Sequence, residues 1–226
     1  MAAHPGSDED EAFLGPDLDP QVSDELTELA AELRRALDLL VGSRPDPGVL
    51  APATAAARAL TAALEPLPST RRGGVPRPYD PNRFNPVSGA CNPASPPLVM
   101  WFEGEGLDDG PAGRRSEGRV TFGLTHQGPP GHAHGGAVTA VYDDFLGRSQ
   151  RQAGFTGTFT VTFRQPTPLD RELALLAWVD RVDGRKRWVR GTCHLDGVLL
   201  HEAEGLFIAP RAGGTMENLA GMLPQP

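Results

Sequence analysis

Between residues 156 and 210, four short segments follow one another: TGTFTVTFRQPTPL, RELALLAWVDRVDG, RKRWVRGTCHLDG and VLLHEAEGLFIAP. Each is rich in β-branched, aromatic or leucine residues, and each ends at a proline-containing pair or at Asp-Gly. Strands this short, joined by turns such as VDGRK and LDGV, pair antiparallel with their chain neighbours. Two further strand-like runs precede them, LVMWFEGEG and RRSEGRVTFGLT, the second alternating through Val120, Phe122 and Leu124. Between the two sets lies one helix-forming segment that opens near Gly135. Strands paired through tight turns around a single helix predict an α+β domain and exclude a doubly wound one.

The rest of the chain reads as an appendage to that domain. Residues 1–20 predict a disordered acidic tail. Ser23, followed by Asp24 and Glu25, predicts the start of a helix whose stripe is Leu26, Leu29, Leu33, Leu37 and Leu40 and whose end is Gly42. APATAAARALTAAL predicts a second helix over 51–64. A hairpin so small cannot bury enough apolar surface alone, so docking on the main domain is expected. Residues 66–97 carry RRGGVPRPYDPNRFNPVSGACNPASPP, which predicts a partly ordered surface loop. The expected organisation is therefore an extension over 21–96, a main domain over 97–210 and a loose tail over 211–226.

Charge restricts the partners. Of the 29 acidic residues, 12 fall in residues 1–46 beside only Arg34, Arg35 and Arg44, so that stretch carries −9 and the remainder +1. An acidic leader argues against nucleic-acid binding there, while the near-neutral remainder can hold an anion locally. Cys91 and Cys193 stand far apart with no CxxC pair, which predicts neither a disulfide framework nor a zinc ribbon and places the chain in a reducing cytoplasm. The acidic N-terminus lacks a basic-then-apolar leader, and no stretch approaches the ~18 apolar residues of a membrane span.

The chemistry concentrates in GPPGHAHGGAVTAVYDDFLG, residues 128–147. Turned by roughly 100° per residue, Val138, Val141, Tyr142, Phe145 and Leu146 form the face that packs on the sheet. Gly136, Ala140, Asp143 and Gly147 form a nearly opposite face of small residues around one acid. Glycine within a helix costs ~1 kcal/mol against alanine, so that face is expected to leave room for a ligand or a second backbone. Pro129 and Pro130 stiffen the entry, and the Gly135-Gly136 pair lets a substrate approach free backbone N–H groups, which suit an oxygen gaining negative charge. Asp143 lies about 10 Å along the axis from Gly136, too far for both to grip one atom. Joint action on one carbonyl then calls for a second, antiparallel copy of the helix and so for a homodimer.

HGGAVTAVYD, with Asp143 nine residues after His134, resembles the signature of the hotdog-fold acyl-CoA thioesterases, specifically the PaaI-like group of the 4-hydroxybenzoyl-CoA thioesterase superfamily. The resemblance runs over roughly residues 97–210 and includes GPPGHAHGG, DDFLG, TGTFTVTFRQPTPL and VDGRK. It implies a long central helix wrapped by an antiparallel sheet, assembled as dimers or dimers of dimers, acting on acyl-CoA with no cofactor beyond the coenzyme A of the substrate. By the same resemblance, the Gly135 or Gly136 N–H polarises the thioester carbonyl and His134 positions that loop. Asp143 is the base or nucleophile, and Thr156 supports it from the next strand. Thr162, Arg185 and Lys186 line the coenzyme A channel, the basic pair near its phosphates. Some relatives place asparagine six residues before the histidine; here that position is Gly128.

Plainer readings stand beside these. His132 and His134 lack a third ligand at metal spacing, so no metal is expected. Asp144 reads as an exposed neighbour of Asp143, and Arg185 to Arg187 as a charged hairpin end. A hotdog enoyl- or hydroxyacyl-CoA hydratase is one alternative, disfavoured because Arg148 and Ser149 stand where its histidine would follow, although His126 precedes the helix. A non-catalytic acyl-CoA-binding module is the other.

Overall fold

The computed structural model describes residues 20–44, 46–66, 82–103, 115–150 and 154–210. The acidic tail, the C-terminal tail and residues 67–81 of the proline-rich loop lie outside the described residues. Six strands form one antiparallel sheet: β1 (Val99–Glu103), β2 (Arg115–Thr121), β3 (Phe155–Phe163), β4 (Glu172–Asp183), β5 (Lys186–Leu195) and β6 (Val198–Ile208), in the order β1-β2-β4-β5-β6-β3. Two helices, α1 (Pro20–Gly42) and α2 (Pro47–Leu64), precede the sheet, and α3 (Gly135–Ser149) lies across strands β2 to β6. No helix among the described residues is long and apolar enough to cross a membrane.

The alternation that predicted the strands is the burial pattern observed. Leu173, Leu175, Ala177 and Val179 of β4 are buried, as are Val189 and Cys193 of β5 and Phe207 of β6. Against them pack Val138, Val141, Tyr142, Phe145 and Leu146, each at most 2% exposed. Burial of side chains this size contributes roughly 1.5–3 kcal/mol each, so this face of α3 is the main adhesive of the fold. Gly191 lets the helix sit close, since a Cβ there would stand 2.8 Å from Leu146 Cδ1. The Asp-Gly turns form as expected: Asp196 and Gly197 have φ of 50° and 81°, the pairing of a type I′ hairpin. Leu124 departs from the expected strand; β2 ends at Thr121 and residues Leu124–His126 form a 3-10 turn.

The extension differs from expectation in several respects. Helix α1 starts at Pro20, so Ser23 is not its cap but a buried residue inside it, whose carbonyl accepts from Thr27 Oγ1. The docked face runs through Ser23, Thr27, Ala30, Arg34 and Asp38, with Leu26, Leu29, Leu33 and Leu37 half-buried beside it, while Leu40 at the end of the stripe is 67% exposed. Arg34 donates to the carbonyls of Ser95, Ala90 and Asn92, and the Asp38 carboxylate accepts from Thr125 N–H and Oγ1 at 2.7 and 2.6 Å. Helix α2 has no buried residue, and of its apolar side chains Leu60 alone is half-buried. It begins at Pro47 behind the N-cap Asp46, a signature for a helix start lying four residues before the expected one. The described part of the proline-rich loop is not a surface loop: Ser88, Cys91 and Ser95 are buried.

Candidate active site

The mouth of α3 is a short loop held at every turn by backbone hydrogen bonds. The Gly128 N–H donates to His132 O, the Ala133 N–H to Thr167 O at 2.8 Å, and the Leu169 N–H to Gly131 O. His134 is anchored by its own N–H on His126 O at 2.8 Å and is the N-cap of α3. Its Nδ1 accepts the Gly136 N–H at 2.9 Å, which places the ring proton on exposed Nε2. One of the two expected oxyanion donors is thus already taken by His134. The Gly135 N–H, by contrast, has no partner among the described residues. Gly135 opens into a cleft of about 380 Å3 whose wall includes Pro129, His132, Phe163, Pro166 and Thr167. A free N–H at the first position of a 15-residue helix, facing a mostly apolar cleft, is a site for developing negative charge.

The acid end is built by an irregularity in β3. Phe159 and Val161 pack against the core under α3, so regular alternation would turn Gly157 inward and Thr156 outward. A bulge lies between Thr156, paired with Phe207, and Thr158, paired with Leu206. The extra residue reverses the phase, and Thr156 Oγ1 donates to Asp143 Oδ1 at 2.7 Å. Asp143 is half-buried, and its other oxygen accepts from no described residue. The acid and its expected support are therefore together.

They are not together with the mouth of the same chain. Gly135 and Asp143 are separated by about 12 Å of helix. Ile208 pairs with both Phe155 and Lys186, so the Arg185–Lys186 turn stands at the Asp143 end of the sheet. Phe163 pairs with His201 at the Gly135 end, roughly 25 Å along the strand. Arg185 is partly committed, donating to Ala209 O at 2.9 Å. Thr162 is exposed and alternates with the inward Val161 and Phe163, which puts it on the face of the sheet away from α3. Gly147, expected on the open small-residue face, lies against Phe207, 3.4 Å from where its Cβ would be.

Asp144 is not an exposed neighbour. Its side chain is 12% exposed and accepts from Asn85 Nδ2 at 2.8 Å, from Ser88 Oγ and from Arg148 Nη1 at 3.5 Å. No local pattern signals a partner 59 residues away in NPVSG. A second unforeseen group lies beneath the helix. His201 is 1% exposed, with Nε2 3.0 Å from Thr167 Oγ1 and Nδ1 3.2 Å from the Tyr142 hydroxyl. Burial, reinforced by nearby His194, pushes its imidazole down to about 4, and burial likewise raises the Tyr142 phenol. Cys91 and Cys193 are free and buried, and burial pushes the Cys193 thiol up to about 12, which leaves it inert.

No family model matches the chain. Acyl-coenzyme A thioesterase THEM4 of Bos taurus is 35% identical over 86 residues, 36% of this chain and 35% of that protein. The protein of the same name in Mus musculus is 32% identical over 92 residues, 38% of this chain and 39% of that one. The chain thus spans little more than a third of the length of these curated relatives. A crystal structure of a thioesterase superfamily protein is 30% identical, with a TM-score of 0.67, and the likeness covers 81% of this chain and 94% of that one. The antiparallel sheet around α3 is the hotdog fold, and the chain belongs to the thioesterase superfamily.

Proposed function

We propose that the chain is an acyl-CoA thioesterase of the PaaI-like group, working as a homodimer or a dimer of dimers. Curated relatives carrying the name acyl-coenzyme A thioesterase support the substrate class. The observation that carries the mechanism is the pairing of two unspent groups at opposite ends of α3: the Gly135 N–H at the cleft and the open oxygen of Asp143. A twofold axis antiparallel to α3 brings the mouth of one subunit to the acid of the other. β3 supports such a contact, since it pairs only with β6 among the described residues and leaves Phe155 46% and Phe163 47% exposed. An open, apolar edge strand is a surface that seeks a second chain.

In the shared site the thioester carbonyl oxygen takes the Gly135 N–H. Asp143 of the partner, held by Thr156, removes a proton from water as the water oxygen bonds to the carbonyl carbon. The tetrahedral intermediate collapses with cleavage of the C–S bond, and the proton passes to the departing thiolate, giving a carboxylic acid and free coenzyme A. Arg185 and Lys186 stand at the Asp143 end and reach the phosphates of coenzyme A, with Thr162 along its path.

The test is a pair of variants and their mixture. Gly135→Pro removes one N–H and little else, because proline suits the first helical position and the preceding His134, at φ −66° and ψ 132°, is compatible with a following proline. Gly135→Pro and Asp143→Asn are each expected to lower thiol release by roughly 10²–10³-fold. Unfolded together and refolded, they should recover about a quarter of wild-type activity, since random pairing restores that share of intact sites. Absence of recovery would place both groups in one subunit and sink the shared site; tight acyl-CoA binding without thiol release by the wild type would sink the hydrolase.

A further inference from the structure

We infer that Thr167 and His201, neither of which touches the reacting atoms, are positioning residues that hold the Gly135 amide at the mouth of α3. The inference rests on reading Gly135 as the oxyanion donor.

Two routes connect His201 to Gly135. The first is polar. The Thr167 carbonyl accepts the Ala133 N–H at 2.8 Å, two residues before Gly135, and the Thr167 side chain is turned inward, its hydroxyl 3.0 Å from His201 Nε2. Thr167 is 4% exposed and His201 1%, so each needs a protein partner for its polar atoms. One arrangement of protons satisfies every contact. Tyr142 O–H donates to His201 O at 3.1 Å, His201 Nδ1–H donates to the Tyr142 oxygen, and Thr167 O–H donates to Nε2. Burial keeps the imidazole neutral, and in that form its proton is on Nδ1 and Thr167 is held in one rotamer as the donor to Nε2. The second route is by packing. The His201 ring lies 5.4 Å from that of Tyr142 and 5.5 Å from that of Phe163. Phe163 Cζ in turn stands 3.5 Å from where a Gly135 Cβ would be. Tyr142 belongs to α3, His201 to β6, and Thr167 to the loop leaving β3, so the network locks the three elements that meet at the cleft.

The experiment uses the full chain and three readouts: kcat and KM for acyl-CoA, amide exchange across residues 131–137, and the midpoint of unfolding. Thr167→Val keeps the shape and removes the hydroxyl. Its expected effects are a kcat lower by roughly 10- to 100-fold with KM within about twofold, since small misplacements of a site act on the transition state. Exchange across 131–137 should quicken about tenfold. Thr167→Ser is expected to restore most of both, because the donor returns. Val189→Ala, a core change away from the mouth, should lower the midpoint and leave kcat and the 131–137 exchange unchanged. If His201→Gln folds, it should follow Thr167→Val. Wild-type kcat and exchange in Thr167→Val would overturn the inference, as would a Thr167→Ser that fails equally. If the wild type released no thiol while the exchange pattern held, the positioning role would stand and the hydrolase reading alone would fall.

Discussion

Asp143 and Asp144 are chain neighbours that look into two differently built regions. Asp144 faces the N-terminal extension, whose Asn85 amide and Ser88 hydroxyl, together with the Arg148 guanidinium of its own helix, fill its acceptor sites. Asp143 faces the exposed end of β3, where Thr156 fills one site and no other described residue fills the rest. A carboxylate saturated with donors is held still; one with open lone pairs beside an open edge can accept a further hydrogen bond. The lesson is that unspent hydrogen-bonding capacity marks chemistry better than residue type. Under the proposed function, the region around Asp144 belongs to stability and that around Asp143 to catalysis.

The comparison breaks if the two acids exchange effects on substitution. Asp143→Asn keeps the Thr156 contact and removes the base, so its expected loss of thiol release is about 10³-fold, with the unfolding midpoint nearly unchanged. Asp144→Ala leaves Asn85, Ser88 and Arg148 facing an empty site, and should destabilise the fold by about 3 kcal/mol in urea titration. A folded Asp144→Ala protein should retain most activity at temperatures well below its midpoint. If Asp144→Ala abolished turnover without loss of stability, the division of labour would be reversed.

How much of this the chain declares in advance depends on the length scale of the signal. The α+β class and the packed face of α3 were legible because periods of two and 3.6 residues are local, and Val138, Val141, Tyr142, Phe145 and Leu146 occupy the expected face. The Asp143–Thr156 contact came from resemblance alone; nothing in TGTFTVTF announces the bulge that turns Thr156 inward. Nor does GG show which amide is spoken for, since the His134 ring decides that by accepting from Gly136. The docked face of α1 is only partly legible: the leucines that border it are conspicuous, whereas Arg34 and Asp38, which clamp it, have partners over fifty residues away. Periodicity finds faces, but it does not say what each face meets.

Smaller effects sharpen the same contrast. His201 lies under the mouth of α3 with its imidazole pushed to about 4, against an ordinary 6.5. As pH falls, the unfolded chain takes up this proton first. The stabilisation is therefore complete above about pH 6.5 and is lost progressively toward pH 4, about 2 kcal/mol of it by pH 5. Urea midpoints at pH 7.5 and 5 would measure this, and His201→Gln should remove that part of the slope. Thr156→Val deletes the one donor on Asp143 among the described residues and is expected to lower kcat about five- to tenfold with stability changed by less than 1 kcal/mol. An equally small effect on both would mean that the bulge, and not the hydroxyl, matters.

The smallest expected effect separates the two helices of the extension. α1 is fixed by Arg34 and Asp38, and its Ala30 is 3% exposed, so Ala30→Asp should loosen the whole extension and, through residues 82–98, the seat of Asp144. α2 is the more apolar helix, yet Val49 is 64% and Leu50 39% exposed and none of its residues is buried. Apolar content without a partner stabilises nothing, so Val49→Asp combined with Leu50→Lys is expected to leave both the unfolding midpoint and kcat unchanged within error. A substantial fall in the midpoint would mean that α2 is covered in solution, and the stabilising half of the contrast would then extend beyond the clamp on Asp144.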